Sequence, residues 1–434
     1  MLNISITPFG FVYIILAIIA FCRSYQAIAK IFAFSYLFQT TAIFAIGNTG
    51  FMPYLIGPIL LTIKGLRLKK EVPQDVKNIQ TISIIFILFV IVQSFTAKYF
   101  FEGNVLVYEQ GGMETAIAKG MVPYHFSLKQ CIQWIYLILN IGGLISILKH
   151  RQYLDSHFSK KIIEQSVLFI SFIGIWKYIA DNFGGWFPDS FFFNNISFDL
   201  GNIWQSVGGK MRFTSIFVEA SICGLFLALF WWNTFFTKIK NKIFILSIAL
   251  LCLLLTVAST GFFCFLFGAA LYLIKKRNIK VIVFLFLIGA FFYGLAQYLN
   301  LLDTVYDMTI NKSESQSAEV RSEIMMSGLQ IFKDTYGLGI GLGASNGSGL
   351  ALTLLGQIGI LGCSLFIGWL YFIVKYLNNR QIKMQLGLWV VLFGMCTSVG
   401  YLSFPIFWIE LIIICSIKSN SSTHNNIVQA ANNA

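Results

Sequence analysis

Apolar residues in this chain are gathered into long runs, and the polar residues are pushed into the gaps between them. Runs long enough to cross roughly 30 Å of hydrocarbon predict membrane spans. They fall near 6–22, 27–46, 49–64, 80–100, 128–148, 162–182, 213–236, 243–257, 260–274, 281–298, 350–376, 386–402 and 405–417. Three neighbouring pairs, within 27–64, 243–274 and 386–417, read as hairpins of shorter helices around the turn signals GNTG, STG and SFP. One such pair is open to a re-entrant reading.

Composition agrees with the pattern. The 434 residues are 57% hydrophobic and 11% charged, with a mean hydropathy of +0.75, whereas soluble domains carry about a quarter charged residues. The expected fold is an all-α polytopic membrane protein, one integral membrane domain over 1–434 with about 12 to 13 transmembrane helices. A net charge of +13 would point to nucleic acid in a soluble chain. Here the basic residues lie in short loops, so no nucleic-acid partner is expected.

Lysine and arginine set the expected orientation. One set of alternate loops holds Arg23, Lys30, the KGLRLKK run at 64–70, Lys77, the basic residues of 149–161, KIKNK at 238–242, KKRNIK at 275–280, Lys375, Arg380, Lys383 and Lys418. That set contains 22 of the 31 basic residues, so the positive-inside rule makes this side cytoplasmic and places the tail SNSSTHNNIVQAANNA inside. The other nine are Lys98, Lys119, Lys129, Lys177, Lys210, Arg212, Lys312, Arg321 and Lys333, all in or beside segments assigned to the outer face.

Several chemistries drop out. The eight cysteines lie in or at the ends of apolar runs without CxxC spacing, and His125 alone of the four histidines is on the outer side. Neither a disulfide framework nor a zinc site is expected, and no metal or other cofactor. No GxxxxGK[ST] is present, and GLGIGLGASNGSG at 337–349 does not fit GxGxxG.

Three outer segments, 101–127, 183–212 and 299–349, exceed a bare connection, and loops of that length are usually functional or disordered. The second is dense in aromatics and amides. Its rings read either as an interfacial belt or as stacking platforms for sugars. In the third, Val320, Ile324, Met325, Leu329, Ile331 and Phe332 line one side of a predicted helix over 317–334, suited to the membrane surface. Arg321 stands near its start, and the glycine-rich run follows.

The stretch RFTSIFVEAS opens an apolar run with Arg212 at its mouth and Glu219 seven residues on. If 212–236 is helical, the two share a face about 10 Å apart. An ionised carboxylate at membrane depth costs about 2–4 kcal/mol unless it meets a polar cavity, so it is a functional candidate. The competing reading is a structural ion pair with Lys177, which has Asp181 one turn on; Glu410 in the last span is a second candidate. Guanidinium groups bind phosphate oxygens in pairs, and a carboxylate accepts a proton from a hydroxyl. Together they fit an anion at headgroup depth with a hydroxyl-rich extension, a lipid-linked sugar phosphate.

At these residues the chain resembles a family. R212-FTSIFVE219-AS221-xx-G224 is similar to the Arg-and-Glu segment of bacterial polysaccharide polymerases. The block from Arg321 through the glycine-rich run to Gly359 and Gly362 resembles that of the O-antigen polymerase and ligase superfamily. The resemblance covers roughly 195–365, and its pattern is mostly small and apolar residues. Ala220 stands where the polymerase pattern has Pro, Ser348 and Gly349 where the ligase branch carries His, and the STG turn lacks an Arg often found nearby. The missing His favours polymerase over ligase.

The resemblance implies a Wzy-type polymerase in the bacterial inner membrane, with a glycosyltransferase-C-like fold, two large outer loops at 183–212 and 299–349, and a periplasmic site. It would transfer a growing glycan from undecaprenyl pyrophosphate onto an incoming lipid-linked repeat unit, as in lipopolysaccharide O-antigen synthesis. Its partners would be undecaprenyl-pyrophosphate-linked oligosaccharides, membrane lipid and a chain-length regulator protein. Glu219 would act as general base and Arg212 and Arg321 would hold the pyrophosphate. Lys210, Lys177, Ser221, Gly341, Gly343 and Ser348 would line the substrate site. The alternatives are a ligase-like glycan transferase and a lipid-linked oligosaccharide flippase or transporter.

Overall fold

The computed structural model describes residues 4–47, 49–68, 72–111, 113–196, 205–207, 209–276, 316–379 and 385–417. Among them, fifteen α-helices hold 71% of the residues. Four helices are long and apolar enough to cross a membrane: α4 (Gln74–Phe101), α6 (Leu128–Lys149), α7 (Phe158–Phe183) and α13 (Leu350–Asn379). The other apolar helices are shorter: α1 (Pro8–Arg23), α3 (Pro53–Leu66), α9 (Ala220–Phe236), α10 (Lys242–Leu255), α11 (Ser259–Lys276), α14 (Gln385–Ser398) and α15 (Pro405–Ser416). One continuous apolar core, from Phe9 to Cys415, runs through these helices. On α1, by contrast, Phe11, Ile15 and Ile18 are 57–58% exposed, an apolar outward face that suits lipid rather than water.

The ends of the helices sort into two groups. At one end Gln26 accepts from the Asp155 amide, and Arg151 donates to the Tyr376 hydroxyl at 2.7 Å. At the other end β1 (Ile4–Ile6), β2 (Phe44–Ile46) and β3 (Thr49–Phe51) form an antiparallel sheet. The long connections gather there too: β4 (Leu106–Val107) with β5 (Val122–Pro123) and α5 (Met113–Lys119), then α8 (Asp189–Phe192), then the hairpin β6 (Ser206–Val207) and β7 (Lys210–Met211).

Three sequence expectations need correction. The span at 27–46 is helical only over α2 (Tyr25–Ser35). Beyond it the Ala42 amide donates to Asn194 Oδ1 at 2.7 Å, Thr40 O accepts from the Asn195 amide at 3.0 Å and the Ile43 amide donates to Phe51 O at 2.8 Å, so partners inside the protein support irregular backbone that lipid could not. The span at 213–236 starts late, because residues 212–219 are drawn into tertiary contacts. Phe213, Ile216 and Phe217 are fully buried, the Phe213 amide donates to Leu255 O at 3.1 Å, and Ser215 sits at φ +52° with its hydroxyl on Ile170 O. The span at 281–298 lies outside the described residues, as do Lys312 and the first part, 299–315, of the expected loop 299–349.

The third correction concerns α12 (Gln316–Asp334), found where a surface helix was expected. Its apolar side is covered by protein. Ile324 and Ile331 are buried, the latter in a small core with Val105, Val107 and Tyr124, the former with Tyr108 and Ala116 of the 101–127 segment. Gly328 lets α12 lie backbone to backbone on α13: a Cβ there would stand 2.5 Å from Leu352 O.

Helix α13 is broken at Gly359, whose φ of 65° and ψ of −173° interrupt the helical run. A break inside an apolar helix frees backbone groups that must find partners. Here the glycine-rich segment supplies them: the amides of Ile340 and Gly341 donate to Gly356 O and Gln357 O at 3.1 and 2.7 Å, and Ile360 N–H donates to Gly337 O at 2.9 Å. Gln93 on α4 adds a bond from Nε2 to Leu338 O at 2.9 Å.

Candidate functional site

Glu219 is the N-cap of α9 and not a residue within it, so it does not share a helical face with Arg212 as the spacing suggested. The two remain close for a different reason. Gly224 and Gly261 let α9 and α11 cross in backbone contact, since a Cβ on Gly261 would lie 2.8 Å from Gly224 Cα. The contact falls four residues after Ala220 and two after Ser259, so the N-termini of α9 and α11 emerge side by side. Each carries about half a positive charge from its aligned peptide dipoles and unsatisfied amides.

Arg212 rests at this mouth. Its Nε donates to Thr256 O at 3.1 Å, Nη2 to Val257 O at 3.0 Å and Nη1 to Gln205 Oε1 at 3.1 Å. Much of its fork therefore fixes the turn between α10 and α11, where Val257 is held at φ +43°. Burial pulls its guanidinium down from its ordinary value, and the nearby Glu219 carboxylate pushes it back up. Three N–H groups of Arg212 are thus already spent on protein acceptors.

Arg321, 102 residues beyond Glu219, completes the cluster. Its Nη2 meets Glu219 Oε2 at 3.4 Å, with side-chain exposures of 22% and 28%. A partly exposed pair of this kind is worth no more than about 1 kcal/mol. A pair of that strength is readily exchanged for another partner of the guanidinium. Ser221 Oγ donates to the same Glu219 oxygen at 2.8 Å.

Of the nine residues singled out in the sequence, four meet here: Arg212, Glu219, Ser221 and Arg321. Lys210 is exposed on the β6–β7 hairpin and bonds to none of the four. Lys177 is buried against Asp181 with Phe187 and Phe193 rings 5.7 and 5.4 Å from its ammonium, so it belongs to a separate structural cluster. Gly341 and Gly343 are buried and spend their amides on Gln357, the second on Oε1 at 3.0 Å. Their amides shape the loop around Gln357. Ser348 is also buried, beside Gly349, whose Cβ would approach Met325 Sδ at 3.1 Å, one helical turn from Arg321.

Glu410 is fully buried and accepts from Asn233 Nδ2 at 2.6 Å. Asn233 lies 13 residues beyond Ala220, about 20 Å along α9. Glu410 is therefore remote from the cluster.

Sequence reading missed what holds Arg321 in place. The hydroxyl of Tyr108 in the 101–127 segment donates to Glu323 Oε1, and the amide of Asn346 donates to Tyr108 O at 2.7 Å. The strap crosses the face of α12 opposite Arg321, where Tyr108, Met121, Glu323, Met326 and Gln330 also line a groove of about 280 Å³. A usable signal was the set of glutamines at 93, 130 and 357 inside apolar runs, since a buried amide has to bond to something.

No protein-family model matches the chain, and no curated protein matches it.

Proposed function

We propose that the protein is a membrane glycosyltransferase that polymerises lipid-linked oligosaccharide repeat units, a Wzy-type reading. The observation that supports it best is the convergence of Glu219, Arg321 and Arg212 on the paired N-termini of α9 and α11. Such a mouth attracts an anion and keeps a carboxylate beside it. The substrate class that needs both is a glycan on a polyprenyl pyrophosphate, whose phosphates lie at headgroup depth next to sugar hydroxyls.

In the proposed reaction a hydroxyl of the incoming repeat unit attacks the anomeric carbon of the growing chain. A new glycosidic C–O bond forms as the bond from that carbon to the pyrophosphate oxygen breaks, and the bonding pair leaves with the lipid pyrophosphate. The hydroxyl proton passes to Glu219 and then to water, general-base help worth about 100- to 10,000-fold. Arg321, released from Glu219, binds phosphate oxygens in pairs, while Arg212 and the two helix ends stabilise the charge that builds on the leaving group. The site faces the loop-rich end of the bundle, which the distribution of lysine and arginine reads as the side away from the cytoplasm and the family resemblance as the periplasmic side of a bacterial inner membrane.

The broken helix α13 is the one feature that favours a flippase or transporter, where such breaks line substrate paths. Here the freed carbonyls of Gly356 and Gln357 are bonded to the glycine-rich segment. The break therefore holds the loop that follows α12 and is filled by it among the described residues, which supports the transferase as the better reading. Purified protein in lipid nanodiscs, given a lipid-linked repeat unit, is expected to form a ladder of products differing by one repeat. Translocation of that lipid without any ladder would replace the enzyme by a transporter.

A further inference from the structure

The two carboxylate oxygens of Glu219 have different surroundings. Oε2 accepts from Ser221 Oγ at 2.8 Å and from Arg321 Nη2 at 3.4 Å. Among the described residues no hydrogen bond or ion pair reaches Oε1, and the side chain is 28% exposed. An N-cap carboxylate ordinarily turns inward to accept from the amides of the first helical turn. Glu219 makes no such capping bond. Its carboxylate is turned outward, and Ser221, at the second position of α9, is the nearest group that holds it so.

Resting on the polymerase reading above, we infer that Ser221 is a positioning residue that fixes the rotation of the Glu219 carboxylate and presents Oε1 to the acceptor hydroxyl. A serine hydroxyl has one proton to donate, and here it goes to Oε2. That bond survives the reaction. When Oε1 takes the acceptor's proton, Oε2 becomes the carbonyl oxygen of a neutral acid and still accepts from Ser221. Arg321 can then leave Oε2 for a phosphate without freeing the carboxylate to spin, because Ser221 keeps its hold. The arrangement separates two duties: Arg321 moves between base and leaving group, and Ser221 stays with the base.

The test measures extension of a lipid-linked repeat unit by Ser221→Ala, Ser221→Thr, Glu219→Gln and the double variant Ser221→Ala/Glu219→Gln in nanodiscs, with thermal unfolding of each. Losing an orienting bond to a charged group should lower kcat of Ser221→Ala about ten-fold. KM should stay within about two-fold and the unfolding midpoint should match wild type. Ser221→Thr, which keeps the hydroxyl, should restore most of the rate. Adding Ser221→Ala to Glu219→Gln should cost nothing more, since there is no base left to orient. A raised KM at unchanged kcat would place Ser221 on the substrate and overturn the assignment, as would a lowered midpoint with wild-type rate per folded molecule. If wild type extends chains and Ser221→Ala matches it, the positioning role alone is wrong. If wild type makes no product while the repeat unit and assay are shown to be sound, the polymerase reading falls and this assignment with it.

Discussion

Replacing Gly359 by Ala should damage the protein out of proportion to the one methyl group it adds. The residue lies at φ 65° and ψ −173°, a region that is essentially open to glycine alone, and forcing alanine into it costs about 1–3 kcal/mol. The new Cβ would also stand 2.4 Å from two carbonyl oxygens, those of Gly337 and Leu338. Both neighbours are backbone. Relief therefore means parting the glycine-rich segment from α13, and overpacking of that order adds about 1–3 kcal/mol. A total of about 2–6 kcal/mol is expected. Gly368 provides the control within the same helix, because a Cβ there meets nothing within 4 Å, and alanine gains up to about 1 kcal/mol in a helix interior. Thermal unfolding of fluorescently tagged protein, followed by size-exclusion chromatography, compares the two. Gly359→Ala should unfold well below wild type and lose activity, because the segment it displaces leads directly from α12 and Arg321. Gly368→Ala should unfold at or above wild type. Equal midpoints for the two variants would refute the argument.

Arg321→Lys keeps the charge but loses the paired geometry, so extension should fall about ten-fold or more with little change in stability; wild-type rates would remove the phosphate role. The Tyr108 hydroxyl is pushed up to about 12 by its hydrogen bond to the Glu323 carboxylate. Its neutral form is the stabilised one, so this contribution is complete below pH about 10 and is lost as pH rises towards 12. Alkaline unfolding curves should show that loss in wild type and not in Tyr108→Phe. In Glu410→Gln the new amide can donate to Asn233 Oδ1, which has no donor among the described residues. Stability should hold or rise, whereas Asn233→Leu, which strips Glu410 of its donor, should cost about 1–3 kcal/mol by thermal unfolding.

Much of the helical layout is legible in the sequence because apolar run length reports directly on burial in hydrocarbon. Where it misleads, tertiary bonding has overridden the run. Residues 36–43 and 213–218 continue the apolar runs they adjoin, yet Thr40, Thr41, Phe213 and Ser215 find partners across the fold, and the helix gives way there. The site was half legible. Arg212, Glu219 and Arg321 stand out as charges beside apolar runs, but their geometry depends on Gly224 meeting Gly261 and on Gly328 meeting Leu352. Glycine in a helix carries no sign of which neighbour it admits. Gly341 and Gly343 show the reverse, for a glycine-rich run suggests an open cradle and here wraps Gln357.

The central claim is that Glu219 takes a proton from the acceptor hydroxyl beside an arginine-lined anion site. The most direct measurement is the rate of chain extension per folded molecule for Glu219→Gln, whose amide keeps the size of the side chain and can still accept from Ser221. The account predicts a normally folded, membrane-inserted protein whose extension falls about 100-fold or more, the share expected of a general base. Normal polymer at the normal rate from well-folded Glu219→Gln protein would contradict it and leave this carboxylate as scaffolding for Arg321.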